Sequence, residues 1–292
     1  MDTLQIAPNL DRLARFGLFA LIGAVGFVAV GCFVDVTNDG DGLPPAAPRG
    51  VTSISGDGEV TILWYPNQEP DLDGYEVWRS RNPDTGYRKI AVVSPNITEF
   101  TDTDVQNGET YYYAVLAFDE DGNESELSPE IVEDTPRPEG YGVTLINYEI
   151  DPQRSGFTFS SADIGPRNWD RDGDGVLDRD VDIFFGFDDV VNIAYFYSDH
   201  EDLFMQDLGY HERMDEVDVA PTKGYTIISV EALEGHVYAF FTPDGHYAKV
   251  RVTRVSDESV TFDWAYQLQR ENPDLAPPFD PATVTRGPER RR

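Results

Sequence analysis

The feature of this sequence that most constrains its fold is an alternation of apolar and polar residues with a period of two. The pattern is clearest at 59–67, 73–80 and 110–119, where Val, Ile, Tyr and Trp recur at every second position. Alternate residues of a strand share one face, so this period indicates strands buried on one side. Runs rich in Gly, Asn, Asp and Pro separate the segments, at 55–58, 82–86, 106–108 and 119–123. Short strands about ten residues apart predict an antiparallel sandwich.

The same alternation continues through the second half of the chain. The clearest hairpin spans 236–255, where Thr242-Pro-Asp-Gly245 supplies the turn residues. On its second strand, Ala248, Val250 and Val252 are predicted to share the buried face, and Tyr247, Lys249, Arg251 and Thr253 the opposite one. One short helix is predicted over 198–210, capped by Ser198, with Leu203, Met205 and Leu208 as its apolar residues. Further strands are predicted at 141–150, 155–161, 180–187, 190–198, 224–232 and 259–268.

These patterns divide the chain into segments of different character. The composition predicts a signal peptide at 1–31 and a Gly-, Pro- and Asp-rich tether at 32–45. Two β domains are predicted to follow, at 46–137 and 138–275, and to fold independently across a linker at 134–140. The remaining residues, 276–292, are predicted to be disordered. The fold class is therefore all-β, with two antiparallel domains.

Residues 46–137 resemble the fibronectin type III family along their whole length. The resemblance rests on the Pro-rich entry "PAAPRGVT", on Trp64, on "GYEVWRS" and on "VQNGETYYYAVLA". It implies that Trp64 and Tyr111 are structural residues, Trp64 in the core and Tyr111 at the tyrosine corner. The hydroxyl of Tyr111 is then expected to hydrogen-bond the backbone near Gln106. No Arg-Gly-Asp sequence occurs in the chain, so the sequence gives no support for integrin-type binding.

The balance of charge excludes one class of partner. The 292 residues carry 54 Asp and Glu against 22 Lys and Arg, a formal net charge of −32. A nucleic-acid backbone would be repelled across most of such a surface, so no nucleic-acid partner is expected. An acidic surface is soluble and attracts cations, although a plain solvated surface explains it equally well.

The N-terminus carries the single cysteine of the chain. Arg12 and Arg15 precede the uncharged run 16–31, which ends in Ala29-Val-Gly immediately before Cys32. This arrangement resembles the lipobox of bacterial lipoproteins, which implies cleavage before Cys32 and lipidation of its sulfur. Several buried acyl chains would make the attachment stable. The alternative is an uncut anchor over 16–34, just long enough to span a bilayer.

The predicted anchor defines a location and a first partner, which is the membrane itself. Phe33 follows the cysteine where Asp would favour retention in the inner membrane of Gram-negative bacteria. The expected location is thus the outer membrane or cell surface, with the protein attached through lipid.

The stretch 169–182, "WDRDGDGVLDRDVD", suggests a calcium loop. Its carboxylates alternate before a glycine, as in the first half of an EF-hand-like loop, and the resemblance extends to thrombospondin type 3 repeats and dockerins. The closing Glu is missing; Asp180 or Asp182 could replace it. The alternative is a solvated Asp/Gly hairpin. The candidate ligands of Ca²⁺ are Asp170, Asp172, Asp174, Val176 (through its carbonyl), Asp178 and Asp180.

A fainter resemblance links the second domain to the HmuY-like family of haem-binding surface lipoproteins. It rests on Asp180, Asp182 and Ile183 and on a late hairpin bearing Tyr238, Thr242, Gly245, Tyr247 and Lys249. The resemblance implies an all-β fold and haem held by two histidines. The four histidines of this chain, His200, His211, His236 and His246, do not match that pair.

No motif specifies a reaction. The sequence contains no Gly-x-Ser-x-Gly, His-Glu-x-x-His, Gly-x-x-x-x-Gly-Lys or Gly-x-Gly-x-x-Gly pattern. We therefore expect a non-enzymatic lipoprotein that acts as a binding or structural module for a protein or glycan partner. A lipoprotein that binds and takes up a small ligand such as haem is the alternative, and a carboxylate-based hydrolase of carbohydrates is a more distant one.

Overall fold

The computed structural model of the chain describes residues 42–159, 164–170, 173, 175, 178 and 180–277. The predictions for the signal peptide, for Cys32 and for most of the tether and tail lie outside these residues. Within the described ranges, no helix combines the length and apolar character needed to cross a membrane.

The first half of the described chain is a sandwich of two antiparallel sheets. One sheet has the order β1-β2-β5 and the other β4-β3-β6-β7. Alternate residues of both sheets point inward and form one apolar core. The strands are β1 (Thr52–Gly56), β2 (Glu59–Leu63), β3 (Leu72–Ser80), β4 (Arg88–Val93), β5 (Glu99–Asp102), β6 (Tyr111–Asp119) and β7 (Val132–Asp134).

Trp64 and Tyr111 both lie in this core. Trp64 follows β2, and its ring meets that of Tyr75 edge-on, with 5.4 Å between the centroids. The hydroxyl of Tyr111 accepts a hydrogen bond from the N–H of Gln106 at 3.1 Å. This is the contact that the resemblance implies for a tyrosine corner, and it ties the chain before β6 to the start of that strand.

The second half contains ten strands and two 3₁₀ turns, Pro152–Arg154 and Met214–Glu216. Its two antiparallel sheets have the orders β10-β9-β11-β12-β14 and β13-β15-β16-β17-β8. The strands are β8 (Glu139–Ile146), β9 (Gly156–Thr158), β10 (Gly165–Arg167), β11 (Ile183–Asp188), β12 (Ile193–Tyr197), β13 (Phe204–Tyr210), β14 (Ser229–Glu231), β15 (His236–Phe241), β16 (Tyr247–Val255) and β17 (Ser259–Tyr266).

The inner faces of these two sheets share one aromatic core. Phe157 of β9 and Phe196 of β12 lie in the first sheet, and both meet Phe262 of β17 edge-on, at 5.3 and 5.9 Å. Ala248, Val250 and Val252 of β16 enter the same core, on the face predicted for them. The fold class is therefore all-β, as the sequence predicts.

The short helix predicted over 198–210 is wrong. Residues Phe204–Tyr210 form strand β13, which pairs antiparallel with β15. Leu203 and Met205 are both fully buried and two residues apart, which is the spacing of one strand face. The edge of the β15 hairpin supplies backbone partners that an isolated helix would not have, and this pairing decides the conformation.

The segment between the two domains is short and packed. The first sheet system ends at Asp134 and the next begins at Glu139. Pro136 O accepts from Gly108 N–H of the sandwich at 2.8 Å, while Pro138 O accepts from Tyr266 N–H of the second domain at 3.0 Å. The junction is thus bonded to both sides. Independent folding of the two domains stays a prediction.

Candidate functional site

The predicted calcium loop closes around the carboxylate of Asp170. Its two oxygens accept from Gly173 N–H at 2.7 Å and from Gly175 N–H at 2.9 Å. Both glycines have φ near +80°, a conformation that disfavours other residues. Asp178 N–H donates to Trp169 O at 2.8 Å and closes the loop at its far end. The loop therefore folds back on its first carboxylate.

Only part of the candidate ligand set can be located. Asp172, Asp174 and Val176 lie outside the described residues. Asp182 is buried and accepts from Phe159 N–H at 2.6 Å, so its carboxylate holds the sheet instead of replacing the missing Glu. Among the His, Cys, Asp and Glu side chains that are described, no group of three or more could hold a metal ion. Calcium binding stays a prediction.

The loop begins beside an aromatic surface on the outer face of the first sheet of the second domain. The rings of Trp169 and Phe184 stack with 4.9 Å between centroids, and those of Phe184 and Tyr197 with 5.3 Å. Tyr195 continues the series at 5.4 Å from Tyr197. Tyr148 packs edge-on against Trp169 and Phe184. We call these five residues the aromatic row.

Backbone pairing positions the aromatic row. Phe184 and Tyr197 are direct cross-strand partners on β11 and β12, so their rings stand side by side. Gly186 leaves the space that Tyr148 and Tyr197 occupy, because a Cβ there would lie 2.6 Å from the Tyr148 ring. Phe184 is buried, whereas the other four rings are partly open to solvent. The row is a built surface with an exposed aromatic edge.

Polar groups border the aromatic row. Burial raises the pKa of Tyr197 to about 12, and the nearby carboxylate of Asp188 adds to the rise. Burial and the carboxylate of Glu149 likewise raise the pKa of Tyr148. Trp169 Nε1 is buried and has no hydrogen-bond partner in the described part of the chain. Neutral phenols and carboxylates together can donate to and accept from hydroxyl groups.

The four histidines have separate protein partners. Two bond to backbone oxygens: His200 Nε2 lies 2.8 Å from Val181 O, and His246 Nδ1 lies 3.0 Å from Gln267 O. The other two lie beside carboxylates, His211 beside Glu216 and His236 beside Asp207. These contacts assign structural roles and give no support to the haem alternative.

A buried group of charges lies where the domains meet. Arg137 is only 1% exposed, and its guanidinium lies 3.8 Å from carboxylate oxygens of Glu139 and Asp215. Lys249 is fully buried and donates to Met214 O and Val217 O at 3.1 and 2.9 Å. Burial lowers the pKa of Lys249 to about 7. The strand alternation places Lys249 on the face opposite the core. It therefore predicts neither the burial of Lys249 nor this group of buried charges.

No family model matches the chain. The sandwich has a fibronectin type III fold. An amylopullulanase of Thermoanaerobacterium saccharolyticum is 39% identical over 109 residues, 36% of this chain and 8% of that protein. Exoglucanase B of Cellulomonas fimi is 28% identical over 135 residues, 44% of this chain and 12% of that protein. The chain thus spans about a tenth of these relatives, and the similarity is to a module within larger carbohydrate-active enzymes.

Two solved structures are similar over about a third of the chain. A Fn3-like protein from Clostridium thermocellum has a TM-score of 0.26 and 30% identity, over 30% of this chain and 90% of that one. A β-1,2-glucanase from Parabacteroides distasonis has a TM-score of 0.29 and 28% identity, over 34% of this chain and 13% of that one.

Proposed function

We propose that this protein is a non-catalytic binding module that holds a glycan on the aromatic row of its second domain. The observation that carries the proposal is the continuous series Trp169–Phe184–Tyr197–Tyr195, supported from beneath by a sheet and open along its edge. Partly exposed aromatic rings on a rigid sheet offer large contact area at little conformational cost.

Sugar chemistry fits this surface on two counts. The C–H faces of a pyranose ring are apolar and pack against aromatic rings, as aliphatic groups do. The hydroxyl groups at its rim need hydrogen-bond partners, and the carboxylates of Asp188 and Glu149 can accept from them. A partner with only apolar groups would leave these polar atoms unpaired, so a glycan is favoured over an apolar protein surface.

The relatives support the same class of ligand. An amylopullulanase and an exoglucanase each carry a segment similar to this chain, and both names refer to enzymes that act on glucans. We propose that the sandwich acts as the spacer and the second domain as the binding element.

We further propose that the module is held at the outer membrane or cell surface through lipid on Cys32. The apolar run before this cysteine and the Gly-, Pro- and Asp-rich residues after it support the proposal. In this arrangement the lipid fixes the chain at the surface.

Affinity electrophoresis tests the glycan assignment. The full chain is run through native gels that contain amylopectin, pullulan or hydroxyethylcellulose, beside gels without polysaccharide. We expect retarded migration in at least one of the three, relative to bovine serum albumin as a non-binding standard. Unchanged migration in all three at about 0.5% polysaccharide would contradict the assignment, because the gel then holds sugar segments in large excess over the protein.

A further inference from the structure

A cleft lies between the sandwich and the second domain. Its volume is about 460 Å³, enough for a small organic molecule. One wall comes from β1, β7 and the residues before β7; the other comes from Asp218, Val219 and the segment 272–277. The second wall is fixed by backbone bonds, since Asp218 O accepts from Leu275 N–H at 2.6 Å and from Ala276 N–H at 3.0 Å.

The cleft is acidic throughout. Of the described residues that line it, five are carboxylates and none is Lys, Arg or His. The carboxylates approach from both domains, with three from the sandwich and two from the second domain. They are Glu130, Glu133, Asp134, Asp218 and Asp274. Carboxylates gathered at one concave surface attract a cation, because low-dielectric walls focus their field.

Asp134 is the least solvated of these groups. It is 2% exposed, and its Oδ1 accepts from Ser55 Oγ. Its Oδ2 is buried and has no hydrogen-bond partner within the described residues, and the same holds for Glu130 Oε2. Burial raises the pKa of the Asp134 carboxyl to about 6. A buried oxygen without a donor costs free energy, which a ligand donor would recover.

The side chains of Arg137 and Ser53 lie near Asp134 but do not give its Oδ2 a hydrogen-bond donor of good geometry. Arg137 lies close enough to lower the pKa of Asp134, but none of its three guanidinium nitrogens makes a hydrogen bond. The Ser53 hydroxyl lies near Asp134 and favours the ionised carboxyl, but it makes no hydrogen bond of good geometry with any described residue. A donor carrying positive charge and arriving from the cleft would satisfy Asp134 Oδ2 directly.

The apolar residues that line the cleft indicate the chemistry of the uncharged part of the ligand. Val51 and Val132 line the sandwich side, and Ala276 and Pro277 line the other. Ile131 and Val219 are each 50% exposed at the cleft. Among the described residues no group of three or more His, Cys, Asp or Glu side chains could hold a metal ion, so the carboxylates of the cleft do not form a metal site. An aliphatic stem, by contrast, would cover the apolar side chains and recover apolar burial.

We propose that this cleft binds a primary ammonium ion on a short aliphatic stem, with the ammonium donating to Asp134 and Glu130. The stem lies between Ile131 and Val219. Binding joins the two domains, because the ligand contacts both walls at once. The proposal is independent of the glycan assignment, since the aromatic row contributes no residue to the cleft.

Isothermal titration calorimetry of the full chain tests the cleft with n-butylammonium chloride. We expect saturable binding that is absent with n-butanol, which has the same stem without the charge, and absent with calcium chloride at the same site. Asp134→Asn should weaken binding roughly tenfold, the loss expected for one charge-assisted hydrogen bond. Glu130→Gln and Asp218→Asn should each lower the affinity for n-butylammonium too. If Asp134→Asn does not fold, these two variants test the proposal in its place.

Matched controls distinguish binding in this cleft from non-specific attraction of the ammonium ion to an acidic protein surface. Asp257→Asn removes an exposed carboxylate that is not part of the cleft lining and should leave the affinity unchanged. Trp169→Ala should bind n-butylammonium as the parent does, which keeps this test separate from the glycan assignment. No saturable heat up to about 20 mM ligand, or equal binding by the parent chain and the folded cleft variants, would overturn the proposal.

Discussion

Lys249 Nζ lies 3.9 Å from Asp215 Oδ1 inside the contact between the two domains, and Lys249 is fully buried. The nearest charges include Arg137 of the junction, which disfavours the ammonium form, and Asp215, Glu139 and Asp218, which favour it. Burial is the dominant influence and lowers the pKa to about 7. A lysine with such a pKa makes stability depend on pH near neutrality.

The first prediction concerns that dependence. Between about pH 7 and about pH 9.5 the unfolded chain keeps the Lys249 proton while the folded chain loses it, so the free energy of unfolding should rise with pH. Lys249→Met cannot titrate and should flatten the rise. The check is urea denaturation of both proteins across this range. A parallel pH dependence in parent and variant would show that Lys249 stays charged when folded.

The second prediction concerns the tyrosine corner. Tyr111→Phe removes the acceptor of Gln106 N–H and should lower the free energy of unfolding by about 1–3 kcal/mol, because a part-buried donor loses its partner. Equilibrium denaturation in urea measures the change. Tyr87→Phe is the control, since the Tyr87 hydroxyl serves only an exposed turn. A loss below about 0.5 kcal/mol for Tyr111→Phe would mean that the contact contributes little.

The third prediction concerns calcium. Ca²⁺ should raise the thermal stability of the chain, since the ion would relieve repulsion among the carboxylates that follow Trp169. The double variant Asp172→Ala, Asp174→Ala should abolish the gain. Differential scanning calorimetry with and without about 5 mM Ca²⁺ is the measurement. Equal transitions under both conditions would leave this loop as a metal-free turn.

The fourth prediction concerns the anchor. Cells supplied with a labelled fatty acid should incorporate it into the parent chain, because the lipid is attached to the sulfur of Cys32. Cys32→Ser removes the only thiol and should abolish incorporation. Label retained by the serine variant would place the lipid at another residue, and a parent chain without label would favour the uncut apolar anchor.

Local patterns predicted much of the fold. Period-two alternation identified β2, β3 and β6 of the sandwich and the 236–255 hairpin, because each strand buries one face and the side-chain period is two. The same rule applied to Leu203 and Met205 would have identified β13. The helix prediction there instead relied on a capping residue and on general apolar content, and both also fit a strand.

The aromatic row and the burial of Lys249 depend on long-range contacts, which local sequence patterns do not reveal. Phe184, Tyr195 and Tyr197 occupy outward strand positions, where aromatic residues alternate with the core set, and this was the available signal for the aromatic row. Trp169 and Tyr148 reach the row from separate loops. Lys249 is buried because the turn at Met214–Glu216 covers it, a long-range contact that strand periodicity cannot predict.

The most direct test of the account compares glycan binding by single aromatic variants. Trp169→Ala should abolish the retardation of the full chain in the polysaccharide gel that retards the parent, because it removes the end ring of the aromatic row. Tyr87→Ala, on the sandwich, should migrate as the parent does. The account predicts lost binding for Trp169→Ala alone, with the fold retained by circular dichroism. Equal retardation of the parent and folded Trp169→Ala would contradict it.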